Sequence, residues 1–222
     1  MPQQSFGYIL NQRPFRDSSV LVDIFTLDYG RICCVARPAK KRGKILRGSL
    51  QAFRYLHLQW TGKGNVQTLT EADERGRHTI PPSEMMLGIY LNELILLFSH
   101  QHHPQTELFS AYKYTLHKLG DALVNRQILM RFEMYLLANL GYSLEKQDIT
   151  PGMRYIFTED KGLIADQGSA TQQPVIDADL LFALQDIQSM TESDWKQLRI
   201  VLDGIFKQIA PRKINSRRLL NF

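Results

Sequence analysis

Apolar residues in the first 72 positions fall into short runs typical of β-strands, some continuous, as at residues 32–36, and some alternating with polar residues, as at residues 54–60. Short runs rich in β-branched and aromatic residues are separated by turns that contain Gly, Asp or Asn, a pattern typical of small sheets. The five strands that this pattern predicts lie at residues 6–10, 20–27, 31–36, 50–60 and 66–72. Five short strands in such a stretch indicate a small closed barrel, and both the OB-fold and the SH3-like barrel fit the pattern.

The period changes after Pro81 and Pro82, where apolar residues begin to recur every three or four positions. This spacing predicts three amphipathic helices, which begin near Ser83, near Pro104 and near Asn125. Ser83 is expected to cap the first helix, and Pro104 suits the first turn of the second. The chain therefore passes from a β part to an α part.

Residues 142–173 lose the helical period and are rich in Gly, Thr, Asp and Gln. Within this stretch, residues 155–157 and 162–165 are predicted to pair as a short hairpin. Two further helices follow, and their predicted N-caps are Asp177 and Thr191.

These patterns place the chain in the α+β class. A five-stranded N-terminal barrel is followed by an α-helical part, which is interrupted where the helical period is lost. The barrel domain is predicted at residues 1–80, and the helical domain at residues 81–141 and 174–222. Residues 142–173, where the helical period is lost, separate the two parts of the helical domain.

A run of six cations within eleven residues lies between the third and fourth predicted strands, with no acid among them. A loop with this charge repels itself and is more stable when a polyanion neutralises it. We therefore predict a nucleic-acid contact here, although a merely solvated basic hairpin would show the same pattern. The predicted DNA-binding residues, which include two neighbouring arginines, are Arg13, Arg16, Arg37, Lys40, Lys41, Arg42, Lys44 and Arg47.

Aromatic side chains near this loop are candidates for stacking with bases. Nucleic-acid-binding barrels combine cations along the backbone of a strand with aromatic rings on which bases stack. Phe15, Tyr29 and Tyr55 are the candidate platforms, and the alternative for each is a place in the core.

Charge is unevenly distributed along the 222 residues, whose formal net charge is +5. Residues 1–80 hold thirteen basic and six acidic side chains, and residues 204–222 hold five basic and no acidic ones. This distribution indicates a field that attracts anions to particular faces. No apolar run approaches the roughly 20 residues of a membrane span, and the first residues lack the features of a signal peptide, so we expect a cytoplasmic protein with no membrane contact.

The sequence shows no pattern that indicates catalysis or metal binding. Cys33 and Cys34 are adjacent on a predicted strand, so we expect neither an ordinary disulfide between them nor a CxxC zinc site. Three histidines at positions 100–103, with Glu107 nearby, are interpreted as polar groups at the end of a helix. We therefore expect no catalytic residue, no metal and no cofactor.

Eight short segments, taken in order, resemble one known family. They lie at residues 13–19, 23–26, 30–31, 50–53, 90–94, 131–133, 140–142 and 216–219, and they read RPFRDSS, DIFT, GR, LQAF, YLNEL, RFE, LGY and SRRL. Their order and spacing resemble those of the RecO family of bacterial recombination mediators. The likeness covers most of the chain and is weakest over residues 142–175.

The resemblance implies an N-terminal OB-fold and a helical domain with a small inserted subdomain at residues 142–173. It also implies non-catalytic work in the RecF pathway of DNA repair and DNA recombination after DNA damage, so we expect a protein that is not an enzyme. Such proteins bind single- and double-stranded DNA at the bacterial nucleoid, anneal complementary strands and bind RecR. They also contact the single-stranded-DNA-binding protein SSB and help load RecA onto SSB-coated DNA. The alternative that the residues leave open is an RNA-binding OB-fold protein or a nucleic-acid enzyme.

The resemblance also bears on zinc, because some members of the family carry a four-cysteine zinc site in the inserted subdomain. Residues 142–175 of this chain contain no cysteine. The chain therefore resembles the zinc-free branch of the family, and no cofactor is expected.

The resemblance further implies that the helical domain captures the SSB C-terminal tail, which is short and acidic and ends in apolar residues and a carboxylate. Such a ligand needs an apolar pocket rimmed by cations. Arg131 is the expected partner of the carboxylate, because a guanidinium can hold it at two points. The predicted tail-binding residues are Arg126, Arg131, Met134, Leu137, Val201, Ile205, Lys207, Arg212 and Lys213.

Overall fold

The computed structural model describes residues 2–16, 18–37, 47–119, 125–145, 148–168 and 173–220. The strands are β1 (Gln3–Phe15), β2 (Ser19–Thr26), β3 (Gly30–Ala36), β4 (Arg54–Thr61), β5 (Gln67–Arg77), β6 (Arg154–Thr158), β7 (Gly162–Ala165) and β8 (Val175–Asp177). The α-helices are α1 (Met85–Phe98), α2 (Thr106–Lys118), α3 (Asn125–Asn139), α4 (Ala178–Gln185) and α5 (Glu192–Ile209). Single turns of 3₁₀-helix lie at Arg47–Leu50, Pro82–Glu84 and Ser216–Leu219. In the described part of the chain, no helix has the length and apolar character needed to cross a membrane.

The first five strands close into a barrel in the order β1-β2-β3-β5-β4, and β4 returns to pair with β1. Its neighbouring strands are antiparallel except β3 and β5, which run parallel. The alternation of the sequence fills the interior, since Leu56, Leu58 and Trp60 of β4 all point inward and are fully buried. The prediction of a five-stranded OB-like barrel followed by helices is confirmed.

The outer face of β1 and β2 is covered by α2. Tyr8 and Phe25 point out of the barrel and are fully buried. Their rings meet Phe109 and Tyr112 of α2, with ring centroids 5.3 to 5.8 Å apart. This aromatic layer fixes the helix against the barrel, because such ring pairs add to the stability gained from burial alone.

One buried amide links the barrel to both helices. The strand register shifts between Ile9 and Asn11, which leaves the carbonyl of Leu10 outside the ladder. Asn92 of α1 donates its Nδ2 hydrogen to that carbonyl at 3.1 Å, and its Oδ1 accepts from the hydroxyl of Tyr112 at 2.7 Å. The bulge in β1 therefore has a partner that holds α1 and α2 in place.

The connection between α1 and α2 runs beside the first half of β3. The amide of Arg31 donates to the carbonyl of His100 at 3.2 Å, and the amide of His102 donates to the carbonyl of Arg31 at 3.0 Å. Gly30 has φ 63°, and a Cβ there would lie 2.0 Å from the carbonyl oxygen of His103. Only glycine fits this approach. In the described residues, no group of three His, Cys, Asp or Glu side chains could hold a metal ion.

The C-terminal segment returns to α1. The carboxylate of Glu93 accepts from the amides of Asn215 and Ser216 at 2.9 and 2.8 Å and from the Ser216 hydroxyl. Arg217 donates to the hydroxyl of Tyr90. These contacts give the YLNEL and SRRL segments a structural role, because polar groups of one segment bind polar groups of the other.

The chain forms two compact units. The barrel unit comprises Met1–Asn125 and Asn215–Phe222, and the second unit comprises Arg126–Ile214. This division does not coincide with the boundary predicted at residue 81, since α1 and α2 belong to the barrel unit. The physical reason is the packing just described, which joins these helices to β1 and β2.

The second unit contains α3 to α5 and a three-stranded sheet of order β7-β6-β8. The predicted hairpin corresponds to β6 and β7. The third strand, Val175–Asp177, lies beyond the predicted limit of the insertion at residue 173 and pairs with β6. Helix α5 begins with the predicted capping box, in which Thr191 Oγ1 accepts from the Asp194 amide and Asp194 Oδ2 accepts from the Thr191 amide.

Several element boundaries differ from the prediction. Strand β1 extends to Phe15 rather than ending at residue 10, since its second half pairs with β2 while its side chains remain largely exposed. Residue 50 lies in a 3₁₀ turn, and β4 begins only at Arg54. Ser83 lies inside another 3₁₀ turn, so Glu84 rather than Ser83 precedes α1. Asp177 occupies the N-cap of α4 without a side-chain hydrogen bond there.

Candidate nucleic-acid interface

One end of the barrel collects three of the predicted DNA-binding arginines. Residue pairs Phe15–Ser19 in β1 and β2 and Val20–Ala36 in β2 and β3 place the β1–β2 turn beside the end of β3. Arg16 in that turn and Arg37 after β3 therefore lie at the same end of the barrel, and Arg13 lies two residues before the end of β1. We refer to Arg13, Arg16 and Arg37 as the cationic rim.

All three side chains of the cationic rim are exposed. Among the described residues, none of them forms an ion pair within 4.0 Å. The guanidinium carbon of Arg16 lies 5.3 Å from the centre of the Phe15 ring, a cation–π distance. Exposed guanidinium groups without a carboxylate partner can neutralise the phosphates of a bound anion.

Arg13 also faces a small polar site on the outside of β2 and β3. Burial raises the pKa of the Cys33 thiol, and the charge of Asp23 and its hydrogen bond to the thiol add to the rise. The positive charges of Arg13 and Arg31 act in the opposite sense. Arg13 therefore shares its surroundings with a carboxylate, whereas Arg16 and Arg37 contact no described carboxylate.

Most of the predicted basic loop falls outside the described residues. This applies to Lys40, Lys41, Arg42 and Lys44, and to the side chain of Arg47. Their place in the DNA-binding site stays a prediction.

Three other arginines of the barrel are neutralised by acids. The carboxylate of Glu74 contacts Arg54 and accepts from Arg77 at 2.7 Å. Arg75 lies 2.8 Å from a carboxylate oxygen of Asp73. The ends of β4 and β5 therefore carry paired charges, and their positive field is much weaker than their composition suggests.

The three predicted stacking platforms have different surroundings. Tyr29 packs on the barrel core and meets Trp60 edge to face, with ring centroids 5.2 Å apart, so it contributes to the core. Phe15 is half-buried beneath Arg16. Tyr55 is half-buried on the outside of β4, where it belongs to a larger group of rings.

This group of rings contains Phe6, which sequence reasoning missed. The Phe6 and Tyr55 rings are nearly parallel, at 12° and with centroids 5.2 Å apart, and His57 meets Phe6 edge-on at 5.3 Å. Lys113 of α2 places its ammonium group 4.2 Å from the centre of the Tyr55 ring. The signal was present in the sequence, since the side chains of residues 6 and 8 share one face of a strand and those of residues 55 and 57 share another.

The predicted pocket for the SSB tail is only partly consistent with the second unit. Leu137, Val201 and Ile205 are at most 5% exposed, so they belong to the packed interior. These three side chains would have to become accessible to contact the tail, so their place in the tail-binding pocket stays a prediction.

The other predicted tail-binding residues differ in exposure. The guanidinium carbon of Arg131 lies 5.8 Å from the Trp195 ring, and its Nε is buried without a hydrogen-bond acceptor among the described residues. Met134 is half-buried, and the side chain of Arg126 lies outside the described set. The exposed cations of this group are Lys207, Arg212 and Lys213.

The RFE segment also contributes a buried ion pair to the second unit. Glu133 is fully buried, and its two carboxylate oxygens accept from the Arg199 guanidinium at 2.7 and 3.2 Å. Arg199 also donates to Asp203 at 2.8 Å. This two-point geometry joins α3 to α5, so Glu133 has a structural role.

Two models of one known protein family match consecutive parts of this chain. The family model described as "Recombination protein O N terminal" matches residues 1–75. The model described as "Recombination protein O C terminal" matches residues 82–148. The first match covers β1 to β4 and nearly all of β5, and the second covers α1 to α3.

Individual relatives extend the likeness over nearly the whole chain. The DNA repair protein RecO of Burkholderia lata is 34% identical over 187 residues, which cover 81% of this chain and 67% of the relative. That of Aromatoleum aromaticum is 33% identical over 98% of this chain and 94% of its own length. That of Aliivibrio salmonicida is 31% identical over 96% and 92%. The chain therefore belongs to the RecO family of DNA repair proteins.

Proposed function

We propose that this protein is a non-catalytic mediator of DNA repair and recombination that binds single- and double-stranded DNA and anneals complementary strands. The observation that carries the proposal is the cationic rim. Arg16 and Arg37 are exposed at one end of an OB-like barrel and pair with no described carboxylate, and the predicted basic loop follows Arg37 in the sequence.

Phosphate neutralisation explains how such a surface would anneal strands. Each cation that meets a phosphate releases a condensed counterion, so binding depends steeply on salt and little on sequence. When two strands share one cationic surface, the repulsion between their backbones falls. Base pairing then drives annealing, and no catalytic side chain is required.

Membership of the RecO family supports three partners for the proposed function. In this proposal the protein binds RecR, contacts the SSB tail and helps load RecA onto SSB-coated DNA at the bacterial nucleoid. The second unit is the proposed place for the tail, with Arg131 as the partner of its terminal carboxylate. Two observations support Arg131. Its buried Nε has no described hydrogen-bond acceptor, and its guanidinium carbon lies 5.8 Å from the centre of the Trp195 ring.

A strand-annealing assay on complementary, SSB-coated oligonucleotides tests the proposed function. We expect the protein to accelerate annealing, and the double variant Arg16→Ala/Arg37→Ala to do so much less. Arg75→Ala is the matched control, since it removes an exposed barrel arginine that already has an acid partner.

Two parallel measurements separate the proposal from its alternatives. Binding to single-stranded RNA of equal length tests for an RNA-binding protein, and a nuclease assay tests for an enzyme. Absence of annealing together with tighter binding to RNA than to DNA would contradict the proposal. So would cleavage of the substrate.

A further inference from the structure

The outer face of β1 and β4 carries a group of rings that has no part in the proposed contacts between phosphates and the cationic rim. We refer to Phe6, Tyr55, His57 and Lys113 as the aromatic patch. Tyr8 lies beneath α2 and is fully buried, whereas Phe6, two residues earlier on the same face of β1, is 36% exposed. The patch therefore begins where the cover provided by α2 ends.

The rings of the patch hold one another in place. Tyr55 stacks on Phe6, and His57 lies edge-on to Phe6 from the facing position on β4. Lys113 approaches Tyr55 at 4.2 Å. A ring surface that is fixed before binding loses little conformational entropy when a ligand covers it.

Lys113 supplies the patch with a positive charge for an anionic ligand that carries flat groups. His117 and Lys113 lie one turn apart on α2 and are exposed. Two described carboxylates lie near the patch: Asp73, opposite His57 in the strand ladder, pairs with Arg75 at 2.8 Å, and Asp28 accepts from the neutral Ser5 hydroxyl at 2.7 Å. An aliphatic docking face for a folded protein would lack this combination of rings and cations.

We propose that the aromatic patch is a stacking platform for an unpaired base of single-stranded DNA, with Lys113 beside the adjoining phosphate. The inference deepens the proposed function and rests on it. Every base presents a flat face, so stacking on Phe6 tolerates any sequence. The faces of bases in a duplex are already stacked, so the patch adds affinity for single strands only. The cationic rim, in contrast, contacts phosphates of either form.

The test compares Phe6→Leu with the wild type by fluorescence anisotropy on three DNAs of equal length: a single strand, a duplex and a single strand made of abasic sites. We expect Phe6→Leu to weaken binding to the normal single strand about tenfold, the scale of one base–ring contact. Binding to the duplex and to the abasic strand should stay within about twofold of the wild type, because neither offers a free base face.

Phe182→Leu is the matched control, since Phe182 lies in the second unit and is 39% exposed, close to the exposure of Phe6. A second approach does not depend on a variant. Photocrosslinking of a single strand that carries 5-iodouracil should attach DNA to a peptide containing Phe6 or Tyr55. Crosslinks found only at other peptides would overturn the proposal.

The remaining outcomes show which part of the stacking proposal fails. Equal loss on normal and abasic strands, or no loss on either, rules out base stacking at Phe6. If Phe6→Leu abolishes self-association of the free protein and leaves its affinity for DNA unchanged, the patch is a contact between copies of this chain. The Arg16→Ala/Arg37→Ala variant distinguishes the two proposals. If it weakens binding to all three DNAs while Phe6→Leu weakens none, the platform fails and the proposed function stands.

Discussion

Two groups of arginines on one barrel have opposite surroundings. Arg54 and Arg77 share the carboxylate of Glu74, and these contacts hold the ends of β4 and β5 together. Arg16 and Arg37 of the cationic rim have no described carboxylate partner and are exposed. The difference teaches that the number of cations in a segment says little about the field it presents. The positions of the acids decide which cations remain available to a polyanion.

The second unit extends this comparison to a buried arginine. Arg199 is only 7% exposed and contacts both Glu133 and Asp203. The molecule thus contains arginines that are buried and paired, exposed and paired, and exposed without a described partner. The first kind should matter most for stability, and the last kind most for binding.

The largest effect is expected when the buried pair is broken. Glu133→Ala removes the two-point carboxylate partner of the buried Arg199 charge, so the free energy of unfolding should fall by about 3–5 kcal/mol. Urea unfolding measures this fall. Asp73→Ala, which breaks the exposed pair with Arg75, should cost no more than about 1 kcal/mol. Similar losses for both variants would contradict the distinction between buried and exposed pairs.

Arg131 is half-buried and differs from the arginines described above, since it contacts a ring but its Nε has no described hydrogen-bond acceptor. If it holds the SSB tail, Arg131→Ala should weaken binding of a tail peptide by about 1–3 kcal/mol, the scale of a charged hydrogen bond. DNA affinity should be unchanged, because the cationic rim remains. Arg154→Ala is the control, as Arg154 is an exposed arginine of the same unit that pairs with Asp166. Equal effects of both variants on the peptide would remove Arg131 from the site.

The cationic rim should govern how DNA binding depends on salt. Each lost phosphate contact reduces the slope of log affinity against log salt by about 0.7 for single strands. Replacing Arg13, Arg16 and Arg37 by Ala should therefore flatten the slope by about 2 units over roughly 50 to 200 mM salt. The melting temperature should hardly change, since surface substitutions usually alter stability by about 0.5 kcal/mol or less. An unchanged slope would place the DNA elsewhere.

The smallest effect concerns a side chain that the fold keeps neutral. Burial lowers the pKa of His78, and the nearby His117 and Lys113 lower it further. The imidazole also shares a 2.9 Å hydrogen bond with the Tyr8 hydroxyl. In the unfolded chain the pKa returns to about 6.5, so below that pH the unfolded state binds the proton more readily and stability falls.

The pH dependence can be measured by difference. The drop in melting temperature between about pH 7.5 and about pH 5.5 should be smaller in His78→Gln than in the wild type, because the variant has no group to protonate there. His102→Gln is the control, since His102 is an exposed histidine. An identical drop in the wild type and in His78→Gln would show that His78 does not contribute.

The barrel could be predicted from the sequence because the alternation of apolar and polar residues along a strand shows which side chains are buried. Leu56, Leu58 and Trp60 alternate with outward residues, and the interior of the barrel requires this. Thr191 and Asp194 were equally readable, since a capping box is a local feature. Local patterns of this kind need no knowledge of distant parts of the chain.

The parts that were not predicted depend on contacts between distant residues. Asn92 meets the carbonyl of Leu10, 82 positions away, and Glu93 meets Ser216, 123 positions away. No local pattern indicates such pairs, so the assignment of α1 and α2 to the barrel unit was missed. The candidate site shows the same limit at one pair, because the contact of Glu74 with Arg54 follows from the register of β4 and β5, whereas the pairs Asp73–Arg75 and Glu74–Arg77 are local to β5.

The return of the C-terminal segment to α1 has a consequence for protein synthesis. The residues that bind Glu93 and Tyr90 follow the whole second unit in the chain, so the ribosome makes them after that unit. The barrel strands emerge first, but the junction at α1 can form only after Asn215 to Arg217 leave the ribosome. Domains generally fold in the order in which they are made. Here the unit that is begun first is completed last, so a ribosome that stalls within α5 holds a barrel unit whose Glu93 still lacks the backbone donors of Asn215 and Ser216.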